Sequence, residues 1–145
     1  MAGFSLVSML PDVDVVAFTV GIPYRASLGH RGASHSIAVA AMVGLLAFGL
    51  AKVWKVKPIA LALLTFAVAV SHPLLDAATN GGLGCALFWP FSNVRVFAPV
   101  RPIPVSPIGA GMLSLRGLRV LATELGLFAP FLVYALWPRR TFRAA

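Results

Sequence analysis

Seven side chains in this 145-residue sequence combine the ability to bind a cation with the ability to exchange a proton. They are three imidazoles and four carboxylates, namely His30, His35, His72, Asp12, Asp14, Asp76 and Glu124. Divalent metals accept both kinds of ligand. Neutral imidazoles do not balance the charge of carboxylates, whereas a divalent cation does. If these side chains meet, we expect a metal site, with zinc as the first choice and manganese, magnesium or iron as alternatives.

Two short spacings favour such a site. His72 and Asp76 are four residues apart, which places both side chains on one face of a helix. Asp12 and Asp14 follow a proline and would point the same way if that segment were locally extended. Taken alone, the first spacing is better explained by a hydrogen bond on a helix surface and the second by a solvated loop. Their combination in a sequence with so few polar groups predicts metal binding.

The composition places these residues in a membrane protein. The sequence is 59% hydrophobic and 11% charged, with a mean hydropathy of +0.91, whereas soluble domains are about 45–50% apolar and about 25% charged. An unusually apolar soluble helical domain is the alternative. The net charge of +8 comes from basic residues that flank apolar segments, so we expect headgroup contacts and no nucleic acid partner.

The apolar segments predict an all-α membrane bundle with about three transmembrane helices, formed as a single domain over residues 1–145. The predicted spans are residues 37–50 with their flanks, 59–78 and 118–137. Residues 1–22 predict a short segment that does not span the bilayer, and residues 23–36 a loop in which Ser34 or Ser36 caps the next helix. Residues 79–117 contain many of the prolines and glycines, which predicts a long ordered loop.

With three spans, all seven chemical residues fall toward one side of the membrane. At about 1.5 Å per residue, His72 and Glu124 each lie about 9 Å below the helix end, at matching depth. An ionised carboxylate at such a depth needs a partner or a watery cavity. The lysines of residues 52–57 and the arginines at positions 139, 140 and 143 lie on the opposite side, which we expect to be cytoplasmic.

A metal with an open position activates water, so the sequence also predicts hydrolysis. The predicted ligands are Asp12, Asp14, His35, His72 and Asp76. The predicted catalytic residues are Asp14, His30 and Glu124, of which a carboxylate can act as general base and His30 can be a ligand or support one. Arg31, with Arg95 and Arg101, can bind an anion such as phosphate, and headgroup contact is the alternative. Thr79 and Ser92 can orient ligands or substrate, unless they only cap local structure.

Four motifs in order carry a family resemblance. They are LPDVD (residues 10–14), HRGASHS (30–36), HPLLDAATNG (72–81) and WPFS (89–92). The series resembles the bacterial membrane-bound metal-dependent hydrolases described as LexA-binding and inner-membrane-associated. The resemblance implies an inner-membrane location, a metal site of Asp12, Asp14, His30, His35, His72 and Asp76, and distant kinship to zinc-dependent phospholipase C. This sequence departs from the family in a shorter N-terminal apolar segment and in Ser34, where a threonine is usual.

The sequence therefore predicts a multi-pass inner-membrane hydrolase whose partners are membrane lipid and a phosphorylated or lipid-linked substrate. A non-catalytic metal-binding scaffold or regulator-binding protein is the alternative. An ion or proton carrier is disfavoured, because polar residues do not continue through residues 39–50 or 59–70. The lone Cys85 cannot form an internal disulfide and is interpreted as a packing residue rather than a nucleophile.

Overall fold

A computed structural model describes residues 2–107 and 109–137. Within these residues the fold is all-α, as predicted, and an isolated antiparallel bridge joins Cys85 and Val96. The α-helices are α1 (Ala2–Met9), α2 (Val16–Thr19), α3 (Ile37–Leu50), α4 (Pro58–Ala77) and α5 (Leu115–Leu136). Short 3₁₀-helices occupy Leu10–Val15, Ala33–His35 and Gly109–Leu113. Residues 1–102 and 103–145 form two compact units.

The first unit is built on the pairing of α3 with α4. Small residues on α3 allow close approach, since Ala40, Gly44 and Ala47 are buried. A Cβ atom added at Gly44 would lie 3.0 Å from the carbonyl oxygen of Ala62 and 3.1 Å from the Cβ of Phe66. Small residues are the usual means by which helices in membranes approach closely. These small residues of α3 therefore determine how closely α4 packs against α3. The packing in turn determines the position of His72 and Asp76.

The helix lengths bear directly on membrane insertion. α4 and the first 20 residues of α5 (Leu115–Tyr134) are long and apolar enough to cross a bilayer, which takes about 20 residues. α3 has 14 residues and so extends only about 21 Å. The flanks that we expected to extend it do not, because Ser36 has an extended backbone and residues 51–56 form turns.

The loop that follows α4 is ordered, as predicted, and closes over the start of α3. Ala86 N donates to Arg31 O at 3.0 Å, and Ile37 N donates to Leu87 O at 3.0 Å. The loop therefore holds both ends of the histidine-containing segment, residues 30–36. Ser36 is the helix cap, accepting a hydrogen bond from Val39 N at 3.1 Å.

The second unit consists of the rest of the long loop and α5. Ser114 caps α5 by accepting a hydrogen bond from Gly117 N at 3.2 Å. Glu124 lies in α5 and accepts a hydrogen bond from Ser106 Oγ at 3.2 Å. The arginines at positions 139, 140 and 143, predicted as a cytoplasmic tail, lie outside the described residues.

Replacing Gly44 with leucine tests the packing of α3 on α4. We expect Gly44→Leu to lower the unfolding temperature in detergent, because overpacking a close contact costs roughly 1–3 kcal/mol or more. Gly49→Leu is the matched control on the same helix, since no atom lies within 4 Å of a Cβ at Gly49. Equal unfolding temperatures for the two variants, measured by intrinsic fluorescence, would contradict the packing described here.

Candidate metal centre

The N-terminal carboxylates are carried by a 3₁₀-helix rather than an extended segment. Pro11 occupies the first turn of this helix, Leu10–Val15. Because a 3₁₀-helix has three residues per turn, side chains two positions apart point in different directions. The segment is not extended, so the condition under which Asp12 and Asp14 would point the same way is not met. The side chain of Asp12 is 48% exposed and that of Asp14 is 7% exposed, and the two carboxylates contact different nitrogens of His35.

Asp12 converges with His35, His72 and Asp76 on one centre. One ligand atom from each residue lies within 4.8 Å of the others. Asp12 Oδ1 is 3.3 Å from His72 Nε2 and 3.7 Å from His35 Nε2. Asp76 Oδ2 is 3.3 Å from His35 Nε2 and 3.8 Å from His72 Nε2. Four of the five predicted ligands thus come together, two of them from α4 at the predicted spacing of four residues.

The geometry of the four ligands fits a metal ion. Ligands about 2.0–2.1 Å from a tetrahedral zinc ion are roughly 3.3–3.4 Å apart, close to the separations above. The Nε2 atoms of His35 and His72 are buried and make no hydrogen bond within the described part of the chain. Buried polar atoms normally have a partner. Two imidazole nitrogens that face two carboxylate oxygens are suited to a cation between them.

The charges of the surrounding residues support the same conclusion. Asp12, Asp14 and Asp76 are three carboxylates in mutual proximity, and Arg31 is the guanidinium that contacts them in the described structure. With neutral imidazoles, two negative charges are left uncompensated. A divalent cation neutralises them. Zinc, manganese and iron all accept this mixture of nitrogen and oxygen ligands.

Asp14 contacts Nδ1 of His35, the ring nitrogen that does not face the candidate centre. Its Oδ2 is 3.0 Å from His35 Nδ1 and accepts hydrogen bonds from Arg31 N at 3.1 Å and from Ser34 Oγ. Its Oδ1 is 2.6 Å from His30 Nδ1. Burial raises the pKa of Asp14, but hydrogen bonds with His30, His35 and Ser34 outweigh it and lower the pKa overall. A carboxylate that accepts the second N–H of a ligand histidine fixes the orientation and tautomer of that ring.

Asp14, His30 and His35 also form a second group close enough to hold a cation. In this group His35 would offer Nδ1, the atom that faces Asp14. The contacts with Ser34 and with the backbone of Arg31 already occupy the Asp14 carboxylate. We therefore interpret this group as the support of the first centre, and the predicted role of Asp14 as a ligand stays a prediction.

Arg31 connects the two carboxylates that flank His35. Its backbone N–H binds Asp14, while its guanidinium contacts Asp76 through Nη2 and Nε, both at 3.0 Å. Nη1 donates to Thr79 Oγ1 at 3.0 Å and to Gly81 O at 3.2 Å. Arg31 has a φ of 60°, a left-handed conformation that costs about 1–2 kcal/mol for a residue with a Cβ. These contacts describe a positioning residue, and the predicted binding of substrate by Arg31 stays a prediction.

Arg95 was predicted only as an anion-binding candidate, but it holds the histidine loop. Its guanidinium donates to His30 O and Tyr24 O at 2.8 Å and to Ala26 O at 3.1 Å. It also lies 5.5 Å from the centre of the Tyr24 ring. The sequence gives little sign of this role, because Arg95 lies 65 positions from His30 and nothing in its neighbourhood marks it as a loop partner.

The remaining predicted residues have local partners. Thr79 Oγ1 donates to Asp76 O at 2.7 Å, which closes the end of α4. Ser92 Oγ accepts a hydrogen bond from Val94 N at 3.2 Å. Glu124 belongs to the second unit, and its predicted role as a ligand or base stays a prediction.

Contacts between the carboxylates and the imidazoles shift the pKa values at the candidate centre. The contacts with His35 and His72 lower the pKa of Asp12. Burial lowers the pKa of His35, but its contacts with Asp12, Asp14 and Asp76 outweigh burial and raise the pKa overall. The carboxylates thus favour a positive charge on the buried ring of His35. A cation bound at the centre would balance the negative charge of the carboxylates in the same way. Metal binding and protonation of His35 therefore compete.

An all-helical, strongly apolar fold with a polar candidate centre at one end of α4 defines a helical membrane protein with a possible metal site. The chain belongs to the family of YdjM inner membrane proteins, whose sequence profile matches residues 1–142. It is also similar to the inner membrane protein YbcI of Escherichia coli (strain K12), with 36% identity over 140 residues that cover 93% of this chain and 81% of the relative. A search of solved structures finds no significant match. The protein is therefore a bacterial inner membrane protein.

Replacing Asp14 with asparagine tests the support of His35. We expect Asp14→Asn to weaken zinc binding about 10–100-fold, because the variant no longer offers a carboxylate to the His35 ring. Competition with a fluorescent chelator measures the affinity in detergent micelles. Ser71→Ala is the matched control, since Ser71 precedes His72 but bonds only to Val68 O in its own helix. Unchanged affinity in Asp14→Asn would contradict the role assigned to Asp14.

Proposed function

We propose that this protein is a membrane-bound, metal-dependent hydrolase that acts on a phosphoester, with a lipid or lipid-linked molecule as substrate. The observation that carries the proposal is the convergence of Asp12, His35, His72 and Asp76 on one centre. Structural zinc sites are mostly built from cysteine with or without histidine. The present group contains only histidine and aspartate, and the side chain of Asp12 is half exposed, so Asp12 is the candidate ligand that water reaches.

Zinc is the metal that we propose first, with manganese, magnesium or iron as alternatives. When bound, zinc supplies a Lewis-acid charge and lowers the pKa of a water ligand to about 7. The two imidazoles favour zinc, manganese or iron over magnesium, which prefers oxygen ligands. Asp14 contacts His35 and Arg31 contacts Asp76, and in the proposed site these contacts orient the two ligands.

In the proposed reaction, the oxygen of a water molecule forms a bond to phosphorus while the ester P–O bond breaks. Asp12 is the carboxylate that can take the proton from this water. Its Oδ1 faces the two imidazoles, so Oδ2 is placed to accept the proton and pass it to the departing alkoxide. The products are an alcohol and a phosphate acid. The acid–base roles predicted for Asp14, His30 and Glu124 remain part of the proposal.

The position of the centre supports an amphiphilic substrate. His72 and Asp76 lie in the last two turns of α4, an apolar helix long enough to cross the membrane. A site at the end of such a helix lies at the level of the lipid headgroups, where phosphoesters are abundant. Substrates can therefore reach it by lateral diffusion, with their apolar parts still in the bilayer.

A second candidate function is that of a non-catalytic metal-binding scaffold, for example one that binds a regulator. One observation favours it: four protein ligands already complete a tetrahedral zinc shell, and structural sites are closed in this way. Under this alternative the cation stabilises the packing of the N-terminal 3₁₀-helix on α4 and the protein hydrolyses nothing.

Hydrolysis of aryl phosphates by purified protein separates these two functions. With zinc-loaded protein in micelles, we expect turnover of bis(p-nitrophenyl) phosphate or p-nitrophenyl phosphate. We expect His72→Ala and Asp76→Ala to reduce the rate about a hundredfold or more, because a catalytic metal contributes several kcal/mol to transition-state stabilisation. Ser71→Ala should retain the rate.

Metal content must be measured on the same samples by elemental analysis. Loss of both zinc and activity in the two ligand variants would support the hydrolase. Stoichiometric zinc without turnover of either substrate would favour the scaffold. Activity that survives both a chelator and the ligand substitutions would contradict the proposed mechanism.

A further inference from the structure

Two adjoining apolar cavities form a groove beside the candidate centre, in the first unit. They have volumes of about 370 Å³ and about 350 Å³, and both are lined by Val7 of α1 and Val43 of α3. The first cavity reaches Asp14 and Ser34, which support the candidate centre. The second reaches Trp54, beyond the far end of α3. The groove therefore begins at the polar site and continues along α3 away from it.

The length of the groove matches one leaflet of a bilayer. Its lining on α3 extends from Val39 to Leu50. At 1.5 Å per residue this is about 16 Å, against roughly 15 Å for half of the 30 Å hydrocarbon core. The length of the groove thus matches one acyl chain of a phospholipid. Its polar end, at Asp14 and Ser34, lies where the headgroup of such a lipid would reach the candidate centre.

We propose that this groove holds one acyl chain of a glycerophospholipid whose phosphoester lies at the candidate centre. The inference rests on the proposed function and names its substrate class. The groove and the centre meet at the 3₁₀-helix Leu10–Val15, which contributes Leu10, Pro11 and Val13 to the groove and Asp12 to the centre. Because Asp12 lies on the same 3₁₀-helix as these groove residues, a lipid held in this way would bring its phosphoester toward Asp12, the half-exposed carboxylate.

The lining selects an acyl chain over other occupants. Apart from Asp14 and Ser34 at one end and Thr65 at the other, the side chains that line the groove are apolar. An extended peptide would leave its backbone polar groups without partners there, and a helix with its side chains is about 10–12 Å wide, more than cavities of this volume along α3 accommodate. A polyprenyl chain is much longer than one leaflet and would extend beyond Trp54. A saturated or singly unsaturated acyl chain ends within the groove.

The groove contributes orientation more than affinity. In a bilayer, the acyl chain leaves one apolar environment for another, so the hydrophobic effect adds little. A chain held between α1 and α3 restricts the rotation and tilt of the headgroup. Such restriction converts an encounter into a defined approach of the phosphorus to the site. Filling the groove should therefore affect long-chain substrates and leave small soluble phosphoesters unaffected.

Photo-crosslinking tests the groove independently of hydrolysis. The probe is a phosphatidylglycerol with a diazirine in the middle of one acyl chain, in nanodiscs of phosphatidylethanolamine and phosphatidylglycerol. We expect mass spectrometry to find the label on the groove face of α1 and α3, at Val7, Val43 and Leu46. Val43→Trp should lower this labelling about tenfold, because the indole fills the space that both cavities share. Leu45→Trp is the control, since Leu45 is 70% exposed and does not line the groove.

Val7→Trp fills the same space from the opposite wall of the groove. This variant replaces Val43→Trp in the experiment if Val43→Trp does not fold. In either variant we expect loss of phospholipid hydrolysis with retention of bis(p-nitrophenyl) phosphate hydrolysis. Label on the exposed face of α3 while hydrolysis persists would overturn the groove and leave the proposed function intact. Label in the groove without hydrolysis of any phosphoester would overturn the proposed function and the substrate assignment with it. Stronger competition by a polyprenyl phosphate than by phosphatidylglycerol would overturn the choice of an acyl chain.

Discussion

Charge balance among the converging carboxylates is the constraint on which the rest of this structure depends. Three aspartates converge at one end of α4, where Asp14 and Asp76 are largely buried, Asp12 is half exposed and Arg31 contributes a single positive charge. Uncompensated charge in such surroundings costs several kcal/mol per ion. A divalent cation between Asp12, His35, His72 and Asp76 removes the imbalance and gives the two buried imidazole nitrogens a partner.

The fold can be understood as the means of holding these groups together. Small residues on α3 bring α4 close, so that His72 and Asp76 reach His35 at the start of α3. Arg31 and Arg95 then fix the loop that carries His30 and His35, one through carboxylates and the other through backbone carbonyl groups. The left-handed backbone of Arg31 is tolerated because contacts on both sides determine it, which is typical of strained residues at functional sites.

Much of this arrangement could be predicted from the sequence because its signals are local. The placement of His72 and Asp76 on one helix face follows from helical periodicity, and the apolar run predicts α4. The pattern limits the cap of α3 to Ser34 or Ser36, and the structure shows that it is Ser36. The orientation of Asp14 could not be predicted, because Pro11 starts a 3₁₀-helix where an extended segment was equally compatible with the pattern. The role of Arg95 depends on a contact across more than 60 residues, and no local spacing encodes such a contact.

The most direct test of the metal centre is X-ray absorption spectroscopy at the zinc edge on zinc-loaded protein in micelles. The account predicts a shell of nitrogen and oxygen ligands at about 2.0–2.1 Å, with multiple scattering from two imidazoles. A spectrum that contains sulfur ligands, or that shows no imidazole scattering in the wild type, would contradict it.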